Sequence, residues 1–379
     1  MENTPRHPPS AIRHPRRILV RGVNWLGDAV MTTPALLRLR EKFPDAHIAL
    51  LTPEKLKDLW QHHPAVNETI SFASGESIFS IGSRLRAGKF DLALVLPNSV
   101  RSALEVFRAG IPQRIGYARP WRNFFLTQTI APRAEAVKMH KRSAGEIHAL
   151  IRAPKPPMPL PASAHQIHEY LQLVAALGAN PEPIAPQLHV DKLEVLGLDL
   201  ALPQNGRRTD FLIGLNPGAE YGAAKRWPVE KFAAVANELY RRASCEFLIF
   251  GGNNDVSLAE KLAEMLPAPQ ANNHVILLAG KTDLRDLMAG LKMCRVVLTN
   301  DTGPMHVAAA LGTPVVVPFG STSPELTGPG LPGDARHRLL KSDAPCSPCF
   351  LRECPIDFRC MNGISVECVV EAVLSVRDR

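Results

Sequence analysis

No apolar stretch in the 379 residues approaches the roughly 18 to 20 needed to cross a bilayer, so no membrane-spanning helix is expected. The opening "MENTPRHPPSAIRHPRR" holds three prolines up to Ser10 and no apolar h-region, so it reads as neither secretory signal nor anchor. Residues 1–16 are expected to form a flexible basic tail, and the protein to be cytoplasmic. There is no aromatic–basic interleaving of the RNP type, no finger spacing and no long basic helix, which excludes the common nucleic-acid partners. No repeat with a period of 20 to 50 residues is visible, which weighs against a solenoid.

What remains is an ordinary globular composition, 45% hydrophobic and 21% charged. The length exceeds what one hydrophobic core supports, so two domains are expected. Charge is uneven: residues 1–190 carry 24 Lys+Arg against 14 Asp+Glu (+10), and residues 191–379 carry 20 against 22 (−2). A cationic first half suits an anionic partner such as a phosphorylated lipid or membrane headgroups, and equally suits a merely solubilising surface.

Short β-branched or leucine-rich runs alternate with helical patterns, which predicts α/β architecture with parallel sheets. Strands are expected at Arg17 to Val20, His47 to Leu51, Thr69 to Phe72, Leu92 to Leu96 and Arg114 to Tyr117. A second set follows at Phe211 to Leu215, Phe247 to Phe250, His274 to Leu278, Arg295 to Thr299 and Pro314 to Val317. "APKPPMPLPA" (153–162) reads as a loop or insertion and "NPEPIAPQL" (180–188) as an interdomain linker. The expected domains are 17–185 and 186–379, with a cleft between them as the default site.

Three strand-to-helix passages carry chemistry. In "ILVRGVNWLGDAVMTTPALLRLREKFP" the turn holds Gly22, Asn24 and Gly27, with Asp28 at the start of a helix expected over Ala29 to Lys42. The glycines are five apart, which fits the dinucleotide pattern G-x-G-x-x-G poorly and disfavours a nicotinamide site. Asp28 reads either as an N-cap or as a functional carboxylate at a strand's carboxyl end. In "VVLTNDTGPMHVAAALGTPVVVPFG" a buried strand runs into Asp301-Thr302-Gly303-Pro304 and a helix opening near His306. Backbone N–H groups at such a helix start suit a diphosphate, with Thr302 adding a hydroxyl. In "LNPGAEYGAAKRWPVEKF", Lys225 and Arg226 precede a helix and are placed to reach the same anion. "IFGGNNDVSLAEKL" suits a nucleoside pocket, and Thr282 with Leu284 forms an edge suited to packing on a base.

Together these passages resemble glycosyltransferase family 9, the bacterial ADP-heptose:lipopolysaccharide heptosyltransferases, over nearly the whole chain. "PGAEYGAAKRWP" and "NDTGPMHVAAALGTPVV" are most similar to the heptosyltransferase II type. The resemblance implies a GT-B fold of two Rossmann-like domains facing each other across a cleft, acceptor on the N-terminal one and ADP-heptose on the C-terminal one. It implies inverting transfer without metal or other cofactor. Asp28 is then similar to the family's general base, with Gly27 and Asn24 on the acceptor side. Lys225 is similar to its diphosphate-binding lysine, with Arg226 and Thr282 also on the donor side. Asp301, Thr302, Gly303 and His306 fall on its D-[ST]-G-x-x-H donor pattern. Asn253, Asn254 and Asp255 all remain candidates for the ribose. The implied acceptor is an anionic inner-core lipid, met at the inner-membrane surface. Related transferases using another acceptor or nucleotide sugar, and a non-catalytic nucleotide-sugar-binding protein, are the competing readings.

"CSPCFLRECPIDFRC" places Cys346, Cys349, Cys354 and Cys360 within segment 346–360. Four such cysteines suit a zinc or iron–sulfur site, or a packing or redox-labile loop.

Overall fold

The computed structural model describes residues 14–154, 159–202, 211–266 and 274–377. The expected tail, 1–16, falls outside these except for its last three residues. Two six-stranded parallel sheets form the framework. The first contains β1 (Arg17–Arg21), β2 (His47–Pro53), β3 (Glu68–Phe72), β4 (Leu92–Val95), β5 (Gln113–Tyr117) and β6 (Gln128–Ile130). The second contains β7 (Leu212–Asn216), β8 (Glu246–Ile249), β9 (Val275–Leu277), β10 (Val296–Thr299), β11 (Val315–Phe319) and β12 (Arg338–Lys341).

Their orders are β3-β2-β1-β4-β5-β6 and β12-β11-β10-β7-β8-β9. In each, the chain winds outward from the first strand and then returns to its other flank. The switch points therefore lie between β1 and β4 and between β7 and β10, where open α/β sheets bind ligands. Of the strands flanking them, β4, β7 and β10 are buried along their whole length and largely apolar, and β1 is buried from Ile18 to Arg21, as helix-covered parallel sheets require.

The chain divides into two compact units. One comprises the described residues up to Ala136 together with Gln166–Ile184; the other comprises Val137–His165 and the chain from Ala185. Segment 137–165 thus departs from the expected first domain, and its contacts give the reason. The Arg142 N–H donates to the Cys349 carbonyl (3.0 Å) and its Nη1 to that of Cys346 (3.0 Å). Ile147 is buried with Cys346 and Cys349, and His165 Nε2 lies 3.0 Å from the Gly328 carbonyl.

The single helix expected over Ala29 to Lys42 is two, Leu26–Met31 and Thr33–Lys42. Pro34 has no N–H for the Val30 carbonyl, and that break is filled by the Thr33 hydroxyl, which donates to Val30 at 2.8 Å. Thr32 does the same for Ala29 at 2.7 Å. Among the described residues no helix is long and apolar enough to cross a membrane.

Candidate functional site

At the β1–β4 switch point Gly22 turns the chain off β1. Its N–H donates to the Leu51 carbonyl (2.9 Å), and a Cβ there would lie 3.2 Å from both that oxygen and Leu50 Cδ1. The helix that follows is capped by the backbone of Trp25, so Asp28 is not the N-cap. It occupies the third helical position, where the dipole favours a carboxylate. Asp28 lines a cavity of ≈ 200 Å³ with Asn24 and Trp25 from the same turn, Asn98 after β4, and Tyr117, Gln166, Glu169 and Tyr170. Asp28 Oδ1 accepts from Gln166 Nε2 (2.9 Å), which also donates to the Tyr170 hydroxyl (2.9 Å).

Burial raises the Tyr170 hydroxyl well above its ordinary value, and the Asp28 charge adds to this. Burial likewise raises the Glu169 carboxyl, with Arg119 and Arg133 opposing and Asp28 reinforcing. Gly27 is half-buried beside Asp28. Asn24 is exposed and accepts from Arg21 Nη1 (2.9 Å), whose Nε is paired with buried Glu105 (2.8 Å).

Arg122 escapes a sequence reading. It is wholly buried. Its Nη1 donates to Asn98 Oδ1 (3.1 Å) on the pocket wall, while Nε and Nη2 have no hydrogen-bond partner among the described residues. Burial, then Arg119, lowers its pKa to about 10. Gln166 was equally invisible, because its partner Asp28 lies 138 residues away.

At the β7–β10 switch point the loops after two neighbouring strands are stitched by Asn300. Its Oδ1 accepts from the Trp227 N–H (3.0 Å) and its Nδ2 donates to the Pro217 carbonyl (2.7 Å). Lys225 Nζ and Asp301 Oδ2 meet at 2.7 Å, with Asp301 4% and Lys225 15% exposed. The Thr322 hydroxyl donates to the same carboxylate oxygen. Asp301 is therefore engaged in holding Lys225, a positioning task the motif alone did not disclose. Thr302 and Gly303 open the helix Gly303–Ala310 and are half-buried, with Pro304 at its second position. His306 is buried within it, and desolvation lowers its pKa to about 4, against the pull of Asp301. It is neutral at physiological pH.

Arg226 is exposed; its Nη2 lies 3.9 Å from Asp255 Oδ1 and donates to the Ala219 carbonyl (3.3 Å). Asp255 approaches so closely that a Cβ on Gly218 would fall 2.4 Å from its Cγ. Asn253 and Asn254 share a 3₁₀ turn with Asp255. Thr282 is half-buried in the turn after β9, two strands from β7. That turn is tied to the loop after β8 by the Gly280 N–H donating to the Gly251 carbonyl (3.0 Å).

Residues 78–358 match the model of glycosyltransferase family 9 (heptosyltransferase). Lipopolysaccharide heptosyltransferase 2 of Escherichia coli K12 is 32% identical over 352 residues, covering 86% of this chain and 91% of the relative. Lipooligosaccharide heptosyltransferase 2 of Haemophilus influenzae is 31% identical over 317 residues, covering 82% and 85%. Among solved structures, E. coli ADP-heptose lps heptosyltransferase II superposes with a TM-score of 0.75 at 27% identity, covering 95% of this chain and 98% of that one.

Proposed function

From the premise that this chain belongs to glycosyltransferase family 9 and has its GT-B fold class, we propose that it transfers heptose from ADP-heptose to the lipopolysaccharide inner core. The acceptor is the heptosyl-Kdo2-lipid A type, as the heptosyltransferase 2 names of its relatives suggest. One geometric observation carries the reading: Asp28 stands in the wall of a 200 Å³ pocket at a switch point, with its carboxylate oriented by the Gln166 amide.

Asp28 is the general base. It takes the proton of the acceptor hydroxyl as that oxygen bonds to the anomeric carbon, and the bond from that carbon to the diphosphate oxygen breaks with inversion. Charge gathering on departing ADP meets Lys225, Thr302 and the backbone N–H groups opening Gly303–Ala310. Asp301 and Thr322 hold the lysine in place, while neutral His306 adds no charge. Arg226 and Asp255 border the nucleoside side, with Thr282 further along. Gly27 and Asn24 border the acceptor, and buried Arg122 holds the Asn98 amide that lines the same pocket.

Contact with the inner-membrane surface is part of the same proposal. Trp121 and Phe124 are 77% and 79% exposed. In the same unit, Arg114 lies over Phe107 (5.4 Å) and Arg108 over Phe79 (4.4 Å). Exposed aromatics interleaved with arginines suit an anionic interface. Incubation with ADP-heptose and truncated lipopolysaccharide, followed by mass analysis, tests the reaction. One added heptose on a heptose-ended acceptor supports it, and transfer only to a Kdo-ended acceptor, or none, overturns it.

A further inference from the structure

Segment 346–360 takes no part in the transfer chemistry, yet its four cysteines converge. Cys346, Cys349, Cys354 and Cys360 line one small cavity of ≈ 10 Å³, beside Ala224 and Arg359. Such a space holds about one water-sized sphere, room for a single ion rather than a multi-iron cluster. Three of the four are buried, and none forms a disulfide. We propose that these thiols form a tetrathiolate site for one divalent cation, zinc or ferrous iron, that fastens the Lys225 loop.

Two independent features support the site. The first is the backbone. Directly after the Cys346-Ser-Pro-Cys349 turn, Phe350 adopts φ 56°, and Phe358 adopts φ 53° two residues before Cys360. Bulky aromatics rarely occupy the left-handed region, and they persist there only where the surrounding structure holds the chain firmly. Here the turns aim N–H groups at sulfur: that of Leu351 faces Cys349, and that of Phe358 donates to Cys354 Sγ at 3.3 Å. Such contacts orient thiolate ligands and stabilise their charge.

The second feature is the charge around them. Binding one divalent ion displaces four thiol protons to solvent and leaves the complex at −2. Two guanidiniums already stand there, Arg142 beside Cys349 and Arg359 beside Cys346 and Cys354. Among the described residues no three ligand side chains are yet gathered around a metal position. The thiols must therefore rotate inward to reach metal–sulfur distances of about 2.3 Å.

The same segment grips the loop that carries Lys225. The Ala224 N–H donates to the Arg352 carbonyl (2.9 Å) and the Tyr221 hydroxyl to that of Phe350 (3.0 Å). Gly222, at φ 154°, lets the chain pass where a Cβ would lie 2.4 Å from the Arg352 oxygen. Any effect on donor binding rests on the function proposed above; the metal site does not.

The test is elemental analysis of untagged, full-length protein purified under reducing conditions without chelator. About one equivalent of zinc or iron per chain is expected, the analysis itself distinguishing the two. Cys349→Ser and Cys360→Ser should each lower the content at least tenfold, and Cys368→Ser, exposed outside the cluster, should leave it unchanged. Should the first two variants fail to fold, cobalt exchange into the unaltered protein gives the visible bands of a tetrahedral tetrathiolate. Less than a tenth of an equivalent, as purified and after exposure to excess zinc, overturns the site. So do metal retained in folded Cys349→Ser and Cys360→Ser variants and a cobalt spectrum lacking those bands. Loss of transferase activity with metal retained counts against the functional reading alone.

Discussion

The β1–β4 and β7–β10 switch points occupy equivalent places in sheets of the same winding, but they are furnished differently. The first sets the Asp28 carboxylate among an amide and tyrosine hydroxyls. The second sets a nearly buried Lys225–Asp301 pair beside a helix N-terminus. One arrangement suits accepting a proton, the other suits holding a dianion. The shared winding supplies the location, and the side chains decide the chemistry.

The contrast is broken most directly at Asp28. Asp28→Asn is expected to lower turnover roughly 10²- to 10⁴-fold with ADP-heptose affinity within a few-fold. Steady-state rates and donor calorimetry check this, and near-normal turnover would remove the base from the first site. Lys225→Ala should act on both quantities, weakening donor binding roughly 10- to 100-fold, the worth of a charged hydrogen bond of about 1.5–3 kcal/mol, and lowering turnover as well. Unchanged donor affinity would leave the second site without its cation.

Arg122→Met is expected to raise the acceptor KM about tenfold, by the same reasoning, while donor affinity stays put. Its thermal stability should hold or rise, because a buried cation with few partners is removed. A drop in stability with an unaltered acceptor KM would make Arg122 purely structural. Gln166→Leu should cost turnover only about three- to tenfold, the net value of a hydrogen bond near 1 kcal/mol. A loss as large as that of Asp28→Asn would mean that the amide does more than orient.

The last effect is on acid stability rather than turnover. His306 titrates at about 4 in the folded chain, against about 6.5 when unfolded. As pH falls below 6.5 the unfolded chain takes the proton first, so stability declines between about 6.5 and 4 and is unaffected by this residue above that window. His63 and His337 are lowered to about 4 by burial in the same way. His306→Asn should flatten part of the fall in Tm across that range, and an unchanged pH profile would contradict the assignment.

How much of this could be read from the sequence follows from burial. The central strands announce themselves as apolar runs because helices cover both faces. The two strands missed, β6 and β12, are the outer edges of their sheets, short and only partly buried. Edge strands carry little hydrophobic signal. The Asp28, Lys225 and Asp301 loops were legible because local motifs place them after strands. Gln166, Arg122 and Asn300 were not, since each matters through a partner distant in sequence. The role of Asp301 toward Lys225 was hidden for the same reason.

The return of segment 137–165 to the second unit has a genetic consequence. The chain changes units three times, after Ala136, His165 and Ile184. No single cut in the reading frame therefore yields two self-sufficient products. Severing at residue 185 strips the C-terminal product of Arg142, Ile147 and His165 and leaves them stranded on the other. Exchange of one half between relatives would preserve both units only if residues 137–165 travelled with the C-terminal half.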